Sequence, residues 1–311
     1  MSIIENEEKI LRKRCLYDEN HIYIVIFCLK LDMKTENIGI IEGNISERVT
    51  LRVCAVEPYS TELTGEQVGL LADISEKYGS GHVHVTARQT IEIPNIEKSR
   101  LNEVSSALNG VGLYTGSTDT YTRNVMGCSK WCLYNVLPVS ELAQRLNVVL
   151  RTKNLPDKMD ISLSGCAFSC TRSRTSDIGV IAKAEIALTD KPCINCFMCI
   201  SAPLGCQVEA IDVTNAKVTI DMDRCVNCGF CTRVCKPETI VVTKTGFDIY
   251  LGGNGGRVPR VGVFYKRVKT ENEVFSEIER LINRYIKVAT KDERIADVIN
   301  RAGIAIFNEG A

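Results

Sequence analysis

The chain has 311 residues, in which 38 Lys and Arg are matched by 38 Asp and Glu, and 15 cysteines are the compositional outlier. That length allows two or more packed units at roughly 100–200 residues each, and the charge balance excludes a global basic field for nucleic acid or an anionic membrane. A content of 45% hydrophobic and 24% charged residues excludes a disordered chain.

The first residues mix charges and show no apolar signal core, so a cytoplasmic location is expected. In a reducing cytosol, clustered cysteines mean metal ligands or redox chemistry rather than disulfides. Residues 1–45 read as an N-terminal arm with a charged, helix-like start and one strand, Ile22 to Leu29, too short to span a membrane. A strand follows Arg48 (V-T-L-R-V-C-A-V), then a helix that stops at Gly79. Two more strands are predicted in H-V-H-V-T-A-R and T-I-E-I-P, with His82 and His84 on one face. A helix from Lys98 to Leu108 ends near Gly110. This order predicts an α+β unit over residues 46–115, its helices on one face of an antiparallel sheet. Next, P-V-S-E-L-A-Q-R-L-N-V-V-L predicts a helix between two cysteine pairs. After Thr243 strands and glycine turns return, and helices are expected at Glu271 to Lys287 and Asp292 to Ala302.

Between Pro192 and Val242 lie eight cysteines in two similar blocks. The second is Cys225-V-N-Cys228-G-F-Cys231-T-R-V-Cys235, with Pro237 just beyond. In such a C-x2-C-x2-C-x3-C run three thiolates wrap one 4Fe-4S cluster and the displaced fourth ligates its partner. Cys193-I-N-Cys196-F-M-Cys199 repeats the triple, with Cys206 as fourth ligand after a longer loop, a lengthening that adds little closure entropy. The expected sets are Cys193, Cys196, Cys199 and Cys235 for one cluster and Cys206, Cys225, Cys228 and Cys231 for the other. Two zinc sites, or a three-iron cluster without Cys206, stand as alternatives. Because strands and glycine turns resume beyond it, the segment 191–243 reads as an insertion. Upstream, Cys128 and Cys132 and, after 33 residues, Cys166 and Cys170 form two C-x3-C pairs that can supply a third cluster; zinc fits this spacing too.

Four stretches resemble the sulfite and nitrite reductase family: Y-G-S-G-H-V-H-V-T-A-R-Q (78–89), T-R-N-V-x-x-C (122–128), S-G-C-x-x-x-C with D-I-G (164–179), and G-G-N-G-G-R-x-P-R-x-G (252–262). With the cysteine-rich insertion, the layout is most similar to the catalytic subunit of anaerobic sulfite reductases. Two departures stand out: the first pair is C-x3-C where the family usually has C-x5-C, and Ala167 replaces a common Pro. The resemblance implies an α+β fold with a ferredoxin-like half domain at 46–115, a siroheme and coupled 4Fe-4S domain at 116–190 and 244–311, and a two-cluster ferredoxin domain at 191–243. It implies three 4Fe-4S clusters and siroheme, with Cys170 bridging the coupled cluster to the siroheme iron.

The implied reaction is the six-electron reduction of sulfite to sulfide. Nitrite reduction with the same cofactors, or an iron-sulfur electron-transfer protein that has lost siroheme, are the alternatives. Arg88, Arg123 and Lys158 are expected to act on the oxyanion. Arg88, Arg123, Asn124, Cys170, Arg172, Arg174, Gly255, Gly256 and Arg257, with Arg260 beside them, are expected around siroheme, whose carboxylates need bidentate cations. Asp160 stands where relatives often carry the second lysine of a K-x-K pair. Trp131 is expected as a hydrophobic shield, and Cys15, Cys28 and Cys54 as buried thiols. No Rossmann or flavin fingerprint occurs, so electrons are expected from a partner, a ferredoxin or flavin/iron-sulfur subunits. Each motif occurs once where full-length reductases have two halves, so a homo-oligomer or multi-subunit complex is expected, with no nucleic acid and no membrane insertion.

Overall fold

The computed structural model describes residues 39–308 except 43–46, 117, 119, 152 and 202–204. The expected strand at 22–29 and Cys15 and Cys28 lie outside the described residues. Strand β1 (Ile40–Glu42) is followed by β2 (Arg48–Ala55), in which Val49, Leu51 and Val53 are buried while Arg48, Thr50 and Arg52 are not. That alternation makes β2 the centre of an antiparallel sheet. It pairs with β1, with β4 (Ile91–Glu97) and with β5 (Leu113–Thr115), and β3 (His84–Val85) pairs with β4.

Helix α1 (Gly65–Tyr78) starts on a capping box between Thr64 and Gln67, and α2 (Leu101–Gly110) follows a 3-10 turn. Leu71 and Ile74 of α1 and Val104 and Leu108 of α2 pack with Leu51, Ile93 and Ile96 into one core. The strand expected over 82–88 shrinks to two residues. The Thr86 hydroxyl accepts from the N–H groups of Arg88 and Thr90 (both 3.3 Å), which turns the chain at the T-A-R-Q stretch and leaves His82 outside the strand.

A second sheet is built from β6 (Met126–Gly127), β7 (Ile161–Ser164) and β8 (Ile178–Leu188), parallel to one another. β7 and most of β8 are buried, as continuous apolar strands covered on both faces should be. Beyond β8 the cysteine-rich segment holds a hairpin, β9 (Ile211–Thr214) and β10 (Lys217–Ile220), and a short helix α4 (Phe230–Val234). Strand β11 (Ile240–Leu251) then returns antiparallel along the whole of β8, from Ile240 opposite Leu188 to Leu251 opposite Ile178, and β12 (Val263–Val268) forms the edge. Residues 189–239 therefore join the far ends of two paired strands. Their small core of Ile211, Val213, Val218, Cys199 and Cys231 rests on Ile186 and Ile240, the ends of those strands.

Three helices complete the main core: α3 (Ser140–Leu150), α5 (Glu271–Val288) and α6 (Ile295–Ala302). Val274, Ile278, Leu281 and Tyr285 of α5 recur at helical spacing and are fully buried with Leu142 and Leu146 of α3 and Val298 of α6. The last helix begins at Ile295 rather than Asp292. Asp292 has φ +64° and its N–H donates to Pro156 O, so it belongs to the preceding turn, and the Asp297 carboxylate accepts from the N–H of Arg294 at the helix start. Cys54 is buried as expected, with Val56 and Val148 of α3.

Candidate active site

Four cysteines are placed by two loops. Between β7 and β8, the hydroxyl of Ser164 meets those of Thr171 (2.6 Å) and Ser173 (2.8 Å), and Ser173 Oγ donates to Ser162 O (3.0 Å). This buried network fixes the loop that carries Cys166 and Cys170. Glycine is required twice at its ends. A Cβ on Gly165 would lie 2.1 Å from Asn135 Oδ1, and one on Gly179 would lie 1.7 Å from Ser173 O. The other loop, around Cys128 and Cys132, is held by Glu62, whose carboxylate accepts from Ser129 Oγ (2.6 Å) and Lys130 N (2.8 Å). Gln89 exchanges two hydrogen bonds with the backbone of Gly127, bolting the T-A-R-Q turn beside Cys128.

Gly165 N donates to Cys128 Sγ (3.4 Å), the bond a thiolate ligand accepts. Burial pushes the Cys128 thiol up to about 11, and the charges of Cys166, Cys132 and Cys170 act in the same direction. The short C-x3-C loop is closed by Cys132 N donating to Ser129 O (3.1 Å).

The loop between β7 and β8 also borders a cleft of about 170 Å³. Arg88, Lys158, Arg172 and Arg294 line it with one carboxylate, Asp160, and with Gly255 and Gly256. Arg88 Nε donates to Asp160 Oδ1 (2.9 Å), and Arg172 Nη2 to Ala87 O (2.8 Å). Asn124 acts behind Arg88: its Nδ2 donates to Arg88 O (2.8 Å), while its buried Oδ1 has no hydrogen-bond partner. Arg294 Nε donates to Asp177 Oδ1 (3.1 Å) and Nη2 to Asp177 Oδ2, with Asp160 Oδ2 3.7 Å away. Four cations, of which Arg88 pairs with Asp160 and Arg294 with Asp177, leave Lys158 and Arg172 to suit a polycarboxylate or an oxyanion. The donor chemistry fits siroheme, with Cys170 exposed on the loop that also sends Arg172 into the cleft.

The eight downstream cysteines are those of the two expected sets. Cys199 is pushed up by burial and then by Cys235, Cys193 and Cys196. Burial pushes Cys231 up to about 12, and Cys228, Cys225 and Cys206 add to it, Cys199 of the other group last. Both triples have one backbone design. Asn195 and Phe197 flank Cys196 at φ +56° and +57°, as Asn227 and Gly229 flank Cys228 at +53° and +70°. Backbone N–H groups point at sulfur in both groups, Ala210 at Cys206 (3.2 Å) and Ile240 at Cys235 (3.4 Å). The buried Lys183 donates to Val226 O (2.7 Å) near Cys228, a cation beside a thiolate group. Among the described residues no three His, Cys, Asp or Glu side chains converge closely enough for a single metal ion. A cubane differs from such a site in spreading four thiolates around its outside.

Two family models match the chain: the nitrite and sulphite reductase 4Fe-4S domain over residues 118–311 and the nitrite/sulfite reductase ferredoxin-like half domain over residues 51–111. The chain belongs to the nitrite and sulfite reductase family. An uncharacterised protein of Methanocaldococcus jannaschii is 33% identical over 271 residues, 86% of this chain and 93% of that one. The coenzyme F420-dependent sulfite reductase of the same organism is 29% identical over 248 residues, 78% of this chain and 39% of that protein. A crystal structure of dissimilatory sulfite reductase I superposes with a TM-score of 0.68 at 17% identity, covering 86% of this chain and 70% of that one, which shows a shared fold. The α+β fold and the half domain expected of a sulfite and nitrite reductase relative are therefore present.

Several expected residues lie elsewhere than the cleft. Arg123 is anchored by its backbone N–H to Met159 O (2.9 Å) and does not line it. Arg174 stacks on Tyr250, its guanidinium carbon 4.1 Å from the ring centre, in a different cavity. Arg257 is exposed in the glycine turn, and Arg260 closes that turn through backbone bonds to Asn254. Trp131 is 75% exposed and stacked with Lys130, so it shields nothing; its tight turn points it outward. Sequence reasoning misses Arg294, far along the chain in a helix cap, and also Asp177, although that residue opens the D-I-G stretch.

Proposed function

We propose that this chain is the siroheme-binding subunit of a reductase that takes sulfite to sulfide. The observation that carries the reading is that one loop, residues 165–176, carries Cys166 and Cys170 together with Arg172, which lines the cation-rich cleft. Siroheme, when bound, supplies the iron that delivers electrons to the oxyanion. Arg88, Arg172 and Arg294 would hold its carboxylates or the oxyanion, and Lys158 Nζ, exposed at the rim, can hand a proton to an oxygen that leaves as water. Asn124 holds the Arg88 backbone, while Asp160 draws Arg88 Nε toward itself and offsets its charge.

Cys128, Cys132, Cys166 and Cys170 would hold the coupled cluster. The eight-cysteine segment would be an inserted two-cluster ferredoxin domain fed by a donor protein. A second copy of the chain is the proposed cover for β12, an edge strand with Val263 and Phe264 exposed beside Val261. No helix among the described residues is long and apolar enough to cross a membrane. Anaerobic reconstitution tests the reading. Soret and long-wavelength siroheme bands, about twelve irons in clusters and sulfite-dependent oxidation of reduced viologen are expected; iron without those bands overturns it. The Arg88–Asp160 pair favours nitrite as a second reading, because a monoanion needs less positive charge than sulfite, and the same assay with nitrite distinguishes the two.

A further inference from the structure

The two regions that carry cysteines meet at a contact that neither cysteine spacing nor the family match describes. Phe168, between Cys166 and Cys170, lies 5.0 Å from Phe230, between Cys228 and Cys231, ring centre to ring centre. Tyr134, two residues after Cys132, stands edge-on to both, at 5.6 and 5.7 Å. Arg233 of α4 lies over Phe230 and donates to three successive carbonyls just after Cys132: Nη1 to Leu133 O (2.8 Å), Nη2 to Asn135 O (2.8 Å) and Nη2 to Tyr134 O (3.4 Å).

We propose that Arg233 and the Tyr134–Phe168–Phe230 triad are positioning residues that set the distance, and so the rate of electron transfer, between the Cys206–Cys225–Cys228–Cys231 cluster and the Cys128–Cys132–Cys166–Cys170 cluster. This rests on the reading that both groups hold 4Fe-4S clusters. Phe168 and Phe230 each lie between two cysteines of their own set and Tyr134 two residues after Cys132, so a shift of these rings is carried to the cysteine loops. Edge-to-face packing and a planar guanidinium bonded to three carbonyls are directional contacts that fix a spacing. Phe168 and Tyr134 remain 41% and 44% exposed, so little of the contact's value is apolar burial. An external low-potential one-electron carrier first reduces the module side. One electron then leaves that side, which is oxidised, and one arrives upstream, which is reduced; no bond forms or breaks and no proton crosses.

The test uses the full chain reconstituted without oxygen and reduced with dithionite. Electron paramagnetic resonance reads the magnetic interaction between the two clusters, and freeze-quenching reads how fast the upstream signal appears. Arg233→Ala and Phe230→Leu should keep wild-type iron content and midpoint potentials, weaken the interaction and slow upstream reduction about tenfold. Arg233→Lys, with charge but no planar fork, should fall between. Full iron with interaction and rate both unchanged overturns the proposal. If Arg233→Ala loses iron, Phe230→Leu decides by the same two signals, since it leaves the three carbonyl bonds of Arg233 in place. A wild-type chain with iron for the two module clusters alone overturns the underlying reading and the proposal with it, and the iron analysis tells that failure apart.

Discussion

Arg294 closes on both carboxylate oxygens of Asp177, although 117 residues separate them in sequence. Asp177 is 1% exposed and Arg294 14%. Burial wins at the acid, pushing its carboxyl up, whereas at Arg294 burial is outweighed by the combined pull of Asp177, Asp160 and Asp157 and the pKa rises. Asp177 also accepts from Asp160 N (2.8 Å), so the pair holds the strand end that carries Asp160 into the cleft. Arg294→Met should therefore cost about 3–5 kcal/mol by leaving a buried carboxylate unpaired. Urea denaturation at pH 7 without oxygen measures it, and a loss below about 1 kcal/mol would show that the pair is not a structural anchor.

The Asp177 carboxyl also gives stability a pH dependence of definite sign. Its pKa rises from 3.8 to about 6 on folding. Between those values the folded chain holds a proton that the unfolded chain has released. This contribution is fully present below about pH 4, declines as pH rises through 6, and is level above. Asp177→Asn should flatten that decline in urea midpoints measured from pH 4 to 7. An unchanged slope would place the titration elsewhere.

Long periodic elements could be read from the sequence because their burial pattern is local. β2, α3 and α5 are such cases. Contacts closed by the tertiary fold could not be read this way. No pattern near Arg294 signals Asp177, and nothing near Arg233 signals the carbonyls of residues 133–135. The H-V-H-V-T-A-R stretch misled for a related reason: the Thr86 hydroxyl competes for backbone N–H groups and overrides its β propensity.

Asp160 should limit anion binding in the cleft, because it engages Arg88 at 2.9 Å. Asp160→Lys removes a negative charge and frees a guanidinium, so sulfite affinity should rise about 10–100-fold, the worth of one charge-assisted hydrogen bond. Titrating sulfite into the siroheme-loaded protein and following its visible bands tests this. Weaker binding by Asp160→Lys would mean that the carboxylate orients Arg88 rather than neutralising it.

Cys170→Ser and Cys228→Ser should separate the two parts of the chain. The first should abolish sulfite reduction yet leave the module clusters reducible. The second should retain siroheme bands but lose electron delivery from the protein donor, with reduced viologen still active. Loss of viologen activity in Cys228→Ser would contradict that division.

Strands β8 and β11 run unbroken from the main core, where Val180 and Ile249 are buried, to the small core of the cysteine-rich segment, where Ile186 and Ile240 are buried. The segment is therefore no pendant on a tether, and swinging it away would tear a shared ladder. The same geometry makes it removable by design. Leu188 and Ile240 face each other across the ladder, so joining them through a two-residue Asn-Gly turn would convert a long excursion into an ordinary hairpin. Such a trimmed chain would keep the cleft and its upstream cysteines while losing the proposed route of electron supply.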